Sequence, residues 1–493
     1  MQLTGDELRS AVGGQWIVPP EMPHAPGRPP MPLVASGVAT DTREPMRGAL
    51  FVALRGERFD AHQFLAQAAA AGAVAALVDR KAGSYERPPG FPLLEVGDTR
   101  AALADLARTW RARLRGKVVA ITGSSGKTTT RRLVHAALGT TMSGSASPKS
   151  YNNDIGVPLT ILGADAAHGY LVAEIGMSNP GEIAPLSRLA APQVAIITMA
   201  GRAHLGGMGS VDAIIQEKSS LVDGLHTTGI ALVNGDQPRL VAAVQARLKP
   251  GVRLVTFGTS PGCQWRLVGR QALGERQSVR IAEPDGTEWS CELGLPGDYN
   301  AMNALAAAAC ARLLGVDPAR VGAAFAAIAP SEMRMVRQEL GGLAVYNDAY
   351  NANPDAVQAA LRAFAELGAG ARRRVAVLGD MLELGDASAA LHAEVARAAV
   401  ASGAGLLVFV GAESAHGAQE ARRLVAEGGA PEILHVPALD DAGVARIAQA
   451  LRPGDAILLK GSRGSRMERL VQALAARAAD VAAPEGAAPC STT

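Results

Sequence analysis

The residues with the clearest chemical potential lie in a glycine-rich turn, Gly123-Ser124-Ser125-Gly126-Lys127-Thr128, which follows an apolar run over residues 118–121. Glycines in such a turn let backbone N–H groups surround phosphate oxygens, and a helix that begins there adds its partial positive charge. Lys127 can reach the terminal phosphates of a nucleoside triphosphate, and the Thr128 hydroxyl can ligate Mg²⁺. Ile121 stands where the first glycine of G-x-x-x-x-G-K-[ST] would be. The strand-like run before the turn and the helix-forming run after it nevertheless predict a phosphate loop.

Glu174 is a second candidate, because it ends the apolar run that starts at Tyr170. In phosphate-loop proteins an acidic residue at the end of a neighbouring strand can hold Mg²⁺ beside the loop hydroxyl. A helix cap or a surface glutamate is the alternative interpretation. The residues of this segment leave both interpretations open.

His204 follows a third apolar run, Gln193–Thr198, which moves it toward the same edge of the sheet. A single histidine is more often structural or exposed than a ligand. Lys218 lies in Val211–Leu225, a predicted helix with Ser210 as its N-cap. Taken alone, Lys218 is interpreted as a surface lysine.

Two polar segments in the last third of the chain also follow predicted strands. Tyr346–Pro354 is rich in hydrogen-bonding groups, and Lys460-Gly461-Ser462-Arg463 offers two cations, a hydroxyl and a glycine. In open α/β sheets, ligands bind at the carboxyl ends of strands. An Asn-rich turn before a helix and an ordinary loop are the structural interpretations of the same segments. Two such ends facing a nucleotide domain predict a cleft between domains.

These candidates must be positioned by an α/β fold of about three domains, because 493 residues exceed what one compact core usually accommodates. Strands that alternate with helices predict mostly parallel sheets, whereas short alternating runs over 253–295 predict a small antiparallel addition to the central sheet. The predicted units are an N-terminal α/β domain over 1–115 with a proline-rich excursion at 19–32, a central phosphate-loop domain over 116–330, a Rossmann-like doubly wound domain over 331–476 and a disordered tail over 477–493.

Composition argues against several classes of protein. A net charge of +2 argues against a broad nucleic-acid surface, and no uninterrupted apolar run reaches the ~18 residues of a membrane span. The four cysteines form no C-x-x-C pair, which argues against a disulfide framework and a structural zinc site. The first residues lack the charged and apolar regions of a signal peptide. We therefore expect a cytoplasmic protein without a nucleic-acid partner, acting as a monomer.

Taken together, these segments resemble the Mur ligases from about residue 34 to 475. Asp41-Thr42-Arg43 and Gly48–Gly56 resemble the family's uridine-nucleotide domain. Three further stretches are specific to the branch that adds D-alanyl-D-alanine: Asn152–Pro158, Tyr350–Pro354, and Val377–Met381 leading into Glu383-Leu384-Gly385. The resemblance implies that the N-terminal domain binds a UDP-linked substrate and that the central domain binds ATP.

The resemblance also implies a reaction, ATP-dependent amide bond formation. The carboxylate of UDP-N-acetylmuramoyl-tripeptide attacks the γ-phosphate of ATP, and the amine of D-alanyl-D-alanine then attacks the acyl phosphate. A tetrahedral intermediate expels phosphate, which gives UDP-N-acetylmuramoyl-pentapeptide, a peptidoglycan precursor. The site must neutralise crowded negative charge and hold the reactants in line. ATP and Mg²⁺ are the implied cosubstrate and cofactor.

Site roles follow from the same resemblance, residue by residue. The catalytic residues would be Lys127, His204 and Lys218, and the metal ligands would be Thr128, Glu174, His204 and Lys218 in carbamylated form. The nucleotide-binding residues would be Gly123, Ser124, Ser125, Gly126, Lys127, Thr128, Thr129, Asn303, Arg334, Asp348 and Tyr350. The residues that bind the UDP-linked substrate and the dipeptide would be Thr42, Arg43, Asn152, Asn153, Asn351, Asn353, Ser462 and Arg463.

The sequence departs from the family pattern at four positions. The family usually has Asn, Glu, His and Asp at the positions of Met199, Gly206, Tyr299 and Asn347. The first two departures motivate a competing function, a catalytically lapsed ATP-binding regulator. Another Mur-type or folylpolyglutamate-like amide ligase and a P-loop phosphotransferase are further competing functions. The Tyr350–Pro354 run argues against these two kinds of ligase.

Overall fold

The computed structural model describes residues 1–19, 29, 33–57, 59–80, 85–426 and 431–482. The predicted α/β class is confirmed, with mostly parallel sheets in three successive regions of the chain. The proline-rich excursion, apart from residues 19 and 29, lies outside the described residues, as does the tail beyond 482. Within the described part of the chain, no helix has the length and apolar character needed to cross a membrane.

The N-terminal domain is built on a sheet of order β2-β7-β6-β5-β4, in which β2 runs antiparallel to its neighbour. Its strands are β1 (Leu3–Thr4), β2 (Gln15–Ile17), β3 (Val34–Ala35), β4 (Val38–Ala39), β5 (Leu50–Val52), β6 (Ala75–Asp79) and β7 (Leu93–Val96). Its helices are α1 (Gly5–Val12), α2 (Leu65–Ala70) and α3 (Thr99–Arg111). Helix α3 joins this domain to the next, because Arg111 Nε donates to the carbonyl of Ala190 at 2.6 Å.

The central domain carries the phosphate loop on a long sheet of order β16-β15-β14-β13-β12-β11-β8-β10-β9. Its strands are β8 (Lys117–Thr122), β9 (Gly144–Ala146), β10 (Tyr170–Glu174), β11 (Val194–Ile197), β12 (Ile230–Asn234), β13 (Arg253–Gly258), β14 (Trp265–Leu273), β15 (Arg276–Ala282) and β16 (Glu288–Leu293). Its helices are α4 (Lys127–Leu138), α5 (Gly156–Leu162), α6 (Ile183–Ala190), α7 (Leu205–Met208), α8 (Val211–Ser219), α9 (Pro238–Gln245), α10 (Asp298–Leu313) and α11 (Pro318–Ala327). Strands β14, β15 and β16 pair antiparallel, which confirms the predicted addition, whereas β13, at the start of the predicted range 253–295, pairs parallel with β12 and β14.

Parallel pairing in the central sheet brings the three predicted site segments to one edge. Strands β10 and β11 flank β8 in register, so that Glu174 pairs with Ile121 and Ile197 pairs with Thr122. The carboxyl ends of the three strands therefore coincide. The loops that follow them carry Lys127, the residues after Glu174, and His204 to the same side of the sheet.

Helix α10 shows how a chain with few aromatic residues builds a dense core. Residues 304–311 of this helix are buried, and most of them are alanine. Alanine has the highest helix propensity and a short side chain, which lets the helix pack closely on α4 and the sheet. The N-terminal turns of α10 then present Asn300 and Asn303 to the phosphate loop.

The C-terminal domain is a doubly wound sheet of order β17-β18-β22-β19-β20-β21. Its strands are β17 (Val336–Leu340), β18 (Leu343–Asn347), β19 (Arg373–Gly379), β20 (Leu406–Val410), β21 (Glu432–Val436) and β22 (Asp455–Lys460). Its helices are α12 (Pro354–Leu367), α13 (Ser388–Ala401), α14 (Ser414–Ala426), α15 (Asp441–Ala450) and α16 (Glu468–Ala482).

Two features of this domain differ from the sequence expectation. The antiparallel edge strand β17 was not predicted, because its polar, largely exposed residues give no hydrophobic signal. Helix α16 continues to Ala482, although a disordered tail was predicted from residue 477. Leu470 and Leu474 of α16 are buried against the sheet, and this packing extends the helix through an alanine-rich stretch.

Candidate active site

The phosphate loop leaves β8 at Thr122 and enters α4 at Lys127. Gly126 has φ +87°, and a Cβ there would lie 2.3 Å from Asn303 Oδ1, so both the backbone and the space require glycine. The loop is braced from β11, because Thr198 Oγ1 donates to the carbonyl of Ser125 at 2.6 Å. The first N–H groups of α4 therefore converge on a rigid concavity suited to anions.

Lys127 folds back over this loop. Its Nζ donates to the carbonyl of Gly123 at 2.7 Å. Burial lowers the pKa of Lys127, an effect that the carboxylate of Glu174 opposes and Arg334 reinforces. A cation at the N-terminus of α4, beside a phosphate-loop turn, is a strong electrostatic attractor for a polyphosphate.

Glu174 lies within the cluster that the loop forms with β10. Thr128 Oγ1 donates to Glu174 Oε2 at 2.9 Å, and Asn152 Nδ2 donates to Oε1 at 3.0 Å. Arg131 Nε lies 3.7 Å from Glu174 Oε2. Glu174 is buried, which rules out its interpretation as a surface glutamate.

The donors around Glu174 fit a magnesium ion bound together with a nucleotide. Mg²⁺ prefers hard oxygen donors and is usually held by one or two carboxylates together with substrate phosphates and water. Thr128 and Glu174 offer this set. Among the described residues, no cluster of three or more His, Cys, Asp or Glu side chains could hold a metal by protein ligands alone.

His204 lies on the other side of the loop and begins α7 with φ +61°. Its Nδ1 is in close contact with Glu383 Oε2 from the C-terminal domain. Burial lowers the pKa of His204, and the nearby cations Lys127 and Lys218 act in the same direction, whereas Glu383 opposes them. His204 is therefore part of the same electrostatic cluster as the phosphate loop.

Lys218 is 1% exposed, so its interpretation as a surface lysine is wrong. Within the described ranges, no carboxylate oxygen lies within 4 Å of its Nζ. Burial lowers the pKa of Lys218 well below its ordinary value, the charge of Lys127 lowers it further, and Glu217 opposes both. Burial therefore makes the neutral amine more accessible here than in an exposed lysine.

The C-terminal domain reaches into the phosphate loop through its own polar segment. Arg334 Nη2 donates to Thr128 Oγ1 at 3.1 Å, and its guanidinium stacks 4.2 Å from the centroid of the Tyr350 ring. Asn353 Nδ2 donates to Ser125 Oγ at 3.2 Å. These contacts close the predicted cleft around the loop.

Lys460 anchors the segment that carries Tyr350. Its Nζ lies 2.7 Å from Asp348 Oδ2 and donates to the carbonyls of Asp348 and Asn351 at 3.1 and 2.9 Å. Ser462 is buried beside it and accepts a hydrogen bond from Leu382 N at 2.9 Å. Lys460 thus fixes the backbone of the segment that carries the predicted nucleotide-binding residues Asp348 and Tyr350 and the predicted substrate residue Asn351.

Two adjoining cavities occupy the cleft. The larger is about 610 Å³, and its lining includes the predicted residues Ser124, Ser125, Gly126, Lys127, Thr128, Thr129, Asn152, Asn153, Glu174, His204, Asn303, Arg334, Asp348, Tyr350, Asn351 and Asn353. The smaller is about 370 Å³ and is lined in part by Ser462 and Arg463. His204, Tyr350, Asn351 and Asn353 line both, so the two spaces meet at these side chains.

Thr42 and Arg43 are not brought into either cavity. Arg43 Nη2 lies 2.5 Å from Asp41 Oδ2, and the arginine side chain is 86% exposed. Tyr151 lies between Ser150 and Asn152, which line the larger cavity. Burial raises the pKa of Tyr151, and the nearby carboxylates of Glu44 and Asp41 raise it further, so their loop adjoins this segment. The predicted uridine segment therefore lies at the rim of the cleft.

Comparison with known proteins gives the same domain order. The Mur ligase family catalytic domain matches residues 35–111, the Mur ligase middle domain residues 121–311, and the Mur ligase glutamate ligase domain residues 333–463. UDP-N-acetylmuramoyl-tripeptide–D-alanyl-D-alanine ligase of Bacillus subtilis is 34% identical over 445 residues, which cover 90% of this chain and 93% of that protein.

The chain belongs to the Mur ligase family. Solved structures of Mur ligases agree with the fold. MurF from Acinetobacter baumannii superposes with a TM-score of 0.82 at 29% identity, covering 97% of this chain and 99% of that one. MurF from Thermotoga maritima in complex with ADP superposes with a TM-score of 0.75 at 26% identity, covering 91% and 98%.

The departures from the Mur ligase pattern are accommodated locally. Met199 contributes its backbone, because its carbonyl accepts from Ser124 N at 2.9 Å. Tyr299 lines the larger cavity, and Asn347 Oδ1 accepts from Ala349 N at 3.2 Å. Gly206 N donates to the carbonyl of Glu383 at 2.8 Å.

Glu383 and Arg131 were missing from the predicted site residues, and Lys460 was named only as part of a polar segment, without a role of its own. Lys460 had a sequence signal, since it stands at the end of the last strand of a doubly wound sheet. The sequence signal for Glu383 was weaker, because Glu383 lies in a family-specific stretch but not at the end of a predicted strand. Arg131 had none, since only the turn of α4 brings it beside Glu174.

Proposed function

We propose that this Mur ligase joins D-alanyl-D-alanine to UDP-N-acetylmuramoyl-tripeptide, with ATP converted to ADP and phosphate. The observation that carries the proposal is the union of the phosphate loop with Arg334, Tyr350 and Asn353 in one cleft. These residues belong to the branch-specific segment or adjoin it. The matching names of relatives at 34% and 35% identity support the same choice of substrates.

The first step is phosphoryl transfer to the tripeptide carboxylate. Lys127 and the loop N–H groups would stabilise the γ-phosphate as its charge moves, and Arg334 would add a second cation from the opposite wall. Such preorganised donors stabilise developing charge without having to reorient during the reaction. In-line attack requires the carboxylate to enter beside Asn152 and Asn153, which line the same cavity.

Thr128 and Glu174 are the proposed ligands of the Mg²⁺ that accompanies ATP. When bound, the ion would neutralise phosphate charge and polarise the γ-phosphoryl group. Asn152 holds Oε1 of Glu174, and Arg131 Nε lies 3.7 Å from Oε2, the oxygen that also accepts from Thr128. The imidazole of His204 is a less typical magnesium ligand than an oxygen, so its role as a second ligand rests on the family resemblance.

Lys218 is the proposed site of carbamylation. A buried, neutral amine can attack CO₂ through its nitrogen lone pair and release a proton, which converts the lysine into a carbamate anion. The anion would face the Lys127 cation and the imidazole of His204 and would offer oxygen ligands. Incubation with ¹³C-bicarbonate should give a carbamate carbon signal that is absent in Lys218→Met. A signal of equal intensity in that variant would contradict the assignment.

The second step is attack of the dipeptide amine on the acyl phosphate. We assign the dipeptide to the smaller cavity, where Arg463 offers a guanidinium for its carboxylate and Ser462 and Asn351 offer polar contacts. The amine would then approach the larger cavity at His204, where the two spaces meet. The adjoining cavities thereby bring nucleophile and acyl phosphate together.

The deciding experiment measures ADP and phosphate release from ATP with UDP-N-acetylmuramoyl-tripeptide, with and without D-alanyl-D-alanine. We expect turnover only with the dipeptide, and L-alanyl-L-alanine serves as the matched control. Turnover that is independent of the dipeptide would sink the proposal. ATP binding without any turnover would favour the lapsed regulator.

A further inference from the structure

The carboxylate that contacts His204 comes from the other domain. Glu383 lies in the loop after β19, and its Oε2 is in close contact with His204 Nδ1 at the start of α7. The same loop lines the smaller cavity. The buried Nδ1 of a central-domain histidine therefore lies against a C-terminal-domain carboxylate, although the contact does not have hydrogen-bond angles.

Gly206 makes this approach possible. Its N–H donates to the carbonyl of Glu383 at 2.8 Å. A Cβ at position 206 would lie 3.0 Å from Gly385 N and 3.2 Å from Glu383 O, so that the loop would have to give by a few tenths of an ångström. A side chain at this position, such as the glutamate that the family usually carries, would press on the loop that bears Glu383.

The backbone of both partners is held in an uncommon conformation. His204 has φ +61° and Glu383 has φ +63°, in the left-handed region that non-glycine residues seldom occupy. Such conformations persist where the surrounding structure determines them, and they cluster at functional sites. The contact thus joins two backbone-constrained loops, with a His204 side chain that is 20% exposed and a Glu383 side chain that is 58% exposed.

We propose that Glu383 is a positioning residue that orients His204 when the central and C-terminal domains meet. Engaging Nδ1 leaves Nε2 as the ring nitrogen available to the two cavities that His204 lines. Because Glu383 belongs to the C-terminal domain, the orientation exists only while that domain is in place. The inference rests on the proposed function for its consequence in the reaction.

Kinetics of Glu383→Gln test the positioning role, because glutamine keeps the size of the side chain but loses the charge. We expect kcat to fall about 10–100-fold, with an unchanged KM for ATP. Asp386→Asn, an exposed change in the same loop, is the matched control and should leave both constants unchanged. A raised KM for D-alanyl-D-alanine with unchanged kcat would assign Glu383 to the dipeptide and overturn the proposal.

The tautomer of His204 provides a measurement that does not need turnover. At mildly alkaline pH without nucleotide, imidazole ¹⁵N resonances of His204, assigned by their loss in His204→Asn, should show the Nδ1–H form. Glu383→Gln and Gly206→Ala should both increase the Nε2–H form, and the double variant should add little to either. An unchanged tautomer in both variants would overturn the proposal.

The two measurements separate this inference from the proposed function. Wild-type protein that releases no ADP in response to the dipeptide would refute the proposed function. The tautomer change would still decide whether Glu383 orients His204. Full activity of Glu383→Gln in an enzyme with dipeptide-dependent turnover would refute only the positioning role.

Discussion

The two walls of the cleft are built in different ways. On the central-domain wall, Lys127, Thr128 and Glu174 are held by loops that follow adjacent parallel strands of one sheet. On the C-terminal wall, Arg334 and Asn353 act only across a domain boundary. Phosphate binding can therefore persist when the domains move, whereas the complete reaction site requires both walls.

Lys127→Ala breaks the central wall and should have the largest effect. We expect kcat to fall about 1,000-fold, because a buried cation aimed at the γ-phosphate is lost. The melting temperature should change little, since the lysine packs on its own loop. The matched control is Lys117→Ala, because Lys117 is an exposed lysine at the start of β8, the strand that precedes the loop. Wild-type turnover in Lys127→Ala would refute the role of the loop.

Arg334→Ala breaks the opposite wall, and we expect a fall in kcat of about 100-fold. Arg334→Lys should recover only part of this, because lysine cannot reproduce the planar stack on Tyr350. Arg337→Ala, on the adjoining edge strand, is the control. ATP binding by both variants should be measured by calorimetry. Equal losses in Lys127→Ala and Arg334→Ala would contradict the view that the central wall alone is sufficient for phosphate binding.

Glu394→Gln removes an ion pair between the central and C-terminal domains and changes no residue of either wall of the cleft. Arg202 of the central domain lies 2.7 Å from Glu394 Oε2 and 2.8 Å from Asp355 Oδ1, and all three side chains are partly exposed. We expect kcat/KM to fall about two- to fivefold. Small-angle scattering should show a larger radius of gyration in the variant without ligands. Glu420→Gln, which removes an ion pair within the C-terminal domain, should change neither quantity.

Asp41→Asn, outside the cleft, should have the smallest effect. Hydrogen bonds from Arg43 lower the pKa of Asp41 from 3.8 to about 2, so the pair stabilises the folded state above about pH 4. That stabilisation is lost as pH falls toward 2, since the carboxylate becomes protonated. The variant should melt about 1 °C lower at neutral pH. The difference should vanish at low pH and at high salt.

Much of the fold was predictable because hydrophobic runs mark buried strands directly. Strand β10 spans the apolar run from Tyr170 to Glu174, and β11 begins and ends within one residue of the predicted run Gln193–Thr198. The edge strand β17 was not predicted, because an exposed edge strand does not need an apolar pattern. The end of α16 was not predicted either, because an alanine-rich run is compatible with both a helix and a disordered tail.

The candidate site was predictable where a residue lies at a strand end and less so where two domains meet. Glu174 was located by its strand, and the cleft confirms that it adjoins Thr128. Glu383 was quoted within a family-specific stretch, yet its contact with His204 depends on loops 179 residues apart in sequence. A contact between two distant loops produces no local hydrophobic periodicity, so it cannot be predicted from the pattern of either segment.

The sequence by itself determined the phosphate loop, the family and the class of fold, because glycine spacing and hydrophobic period are local properties of the chain. Only the tertiary structure decided that Lys218 is buried and that Arg334 contacts Thr128. It also decided that Glu383 stands beside His204, where Gly206 leaves room. Burial and electrostatic neighbours depend on how separate segments pack, and that packing is a property of the whole molecule.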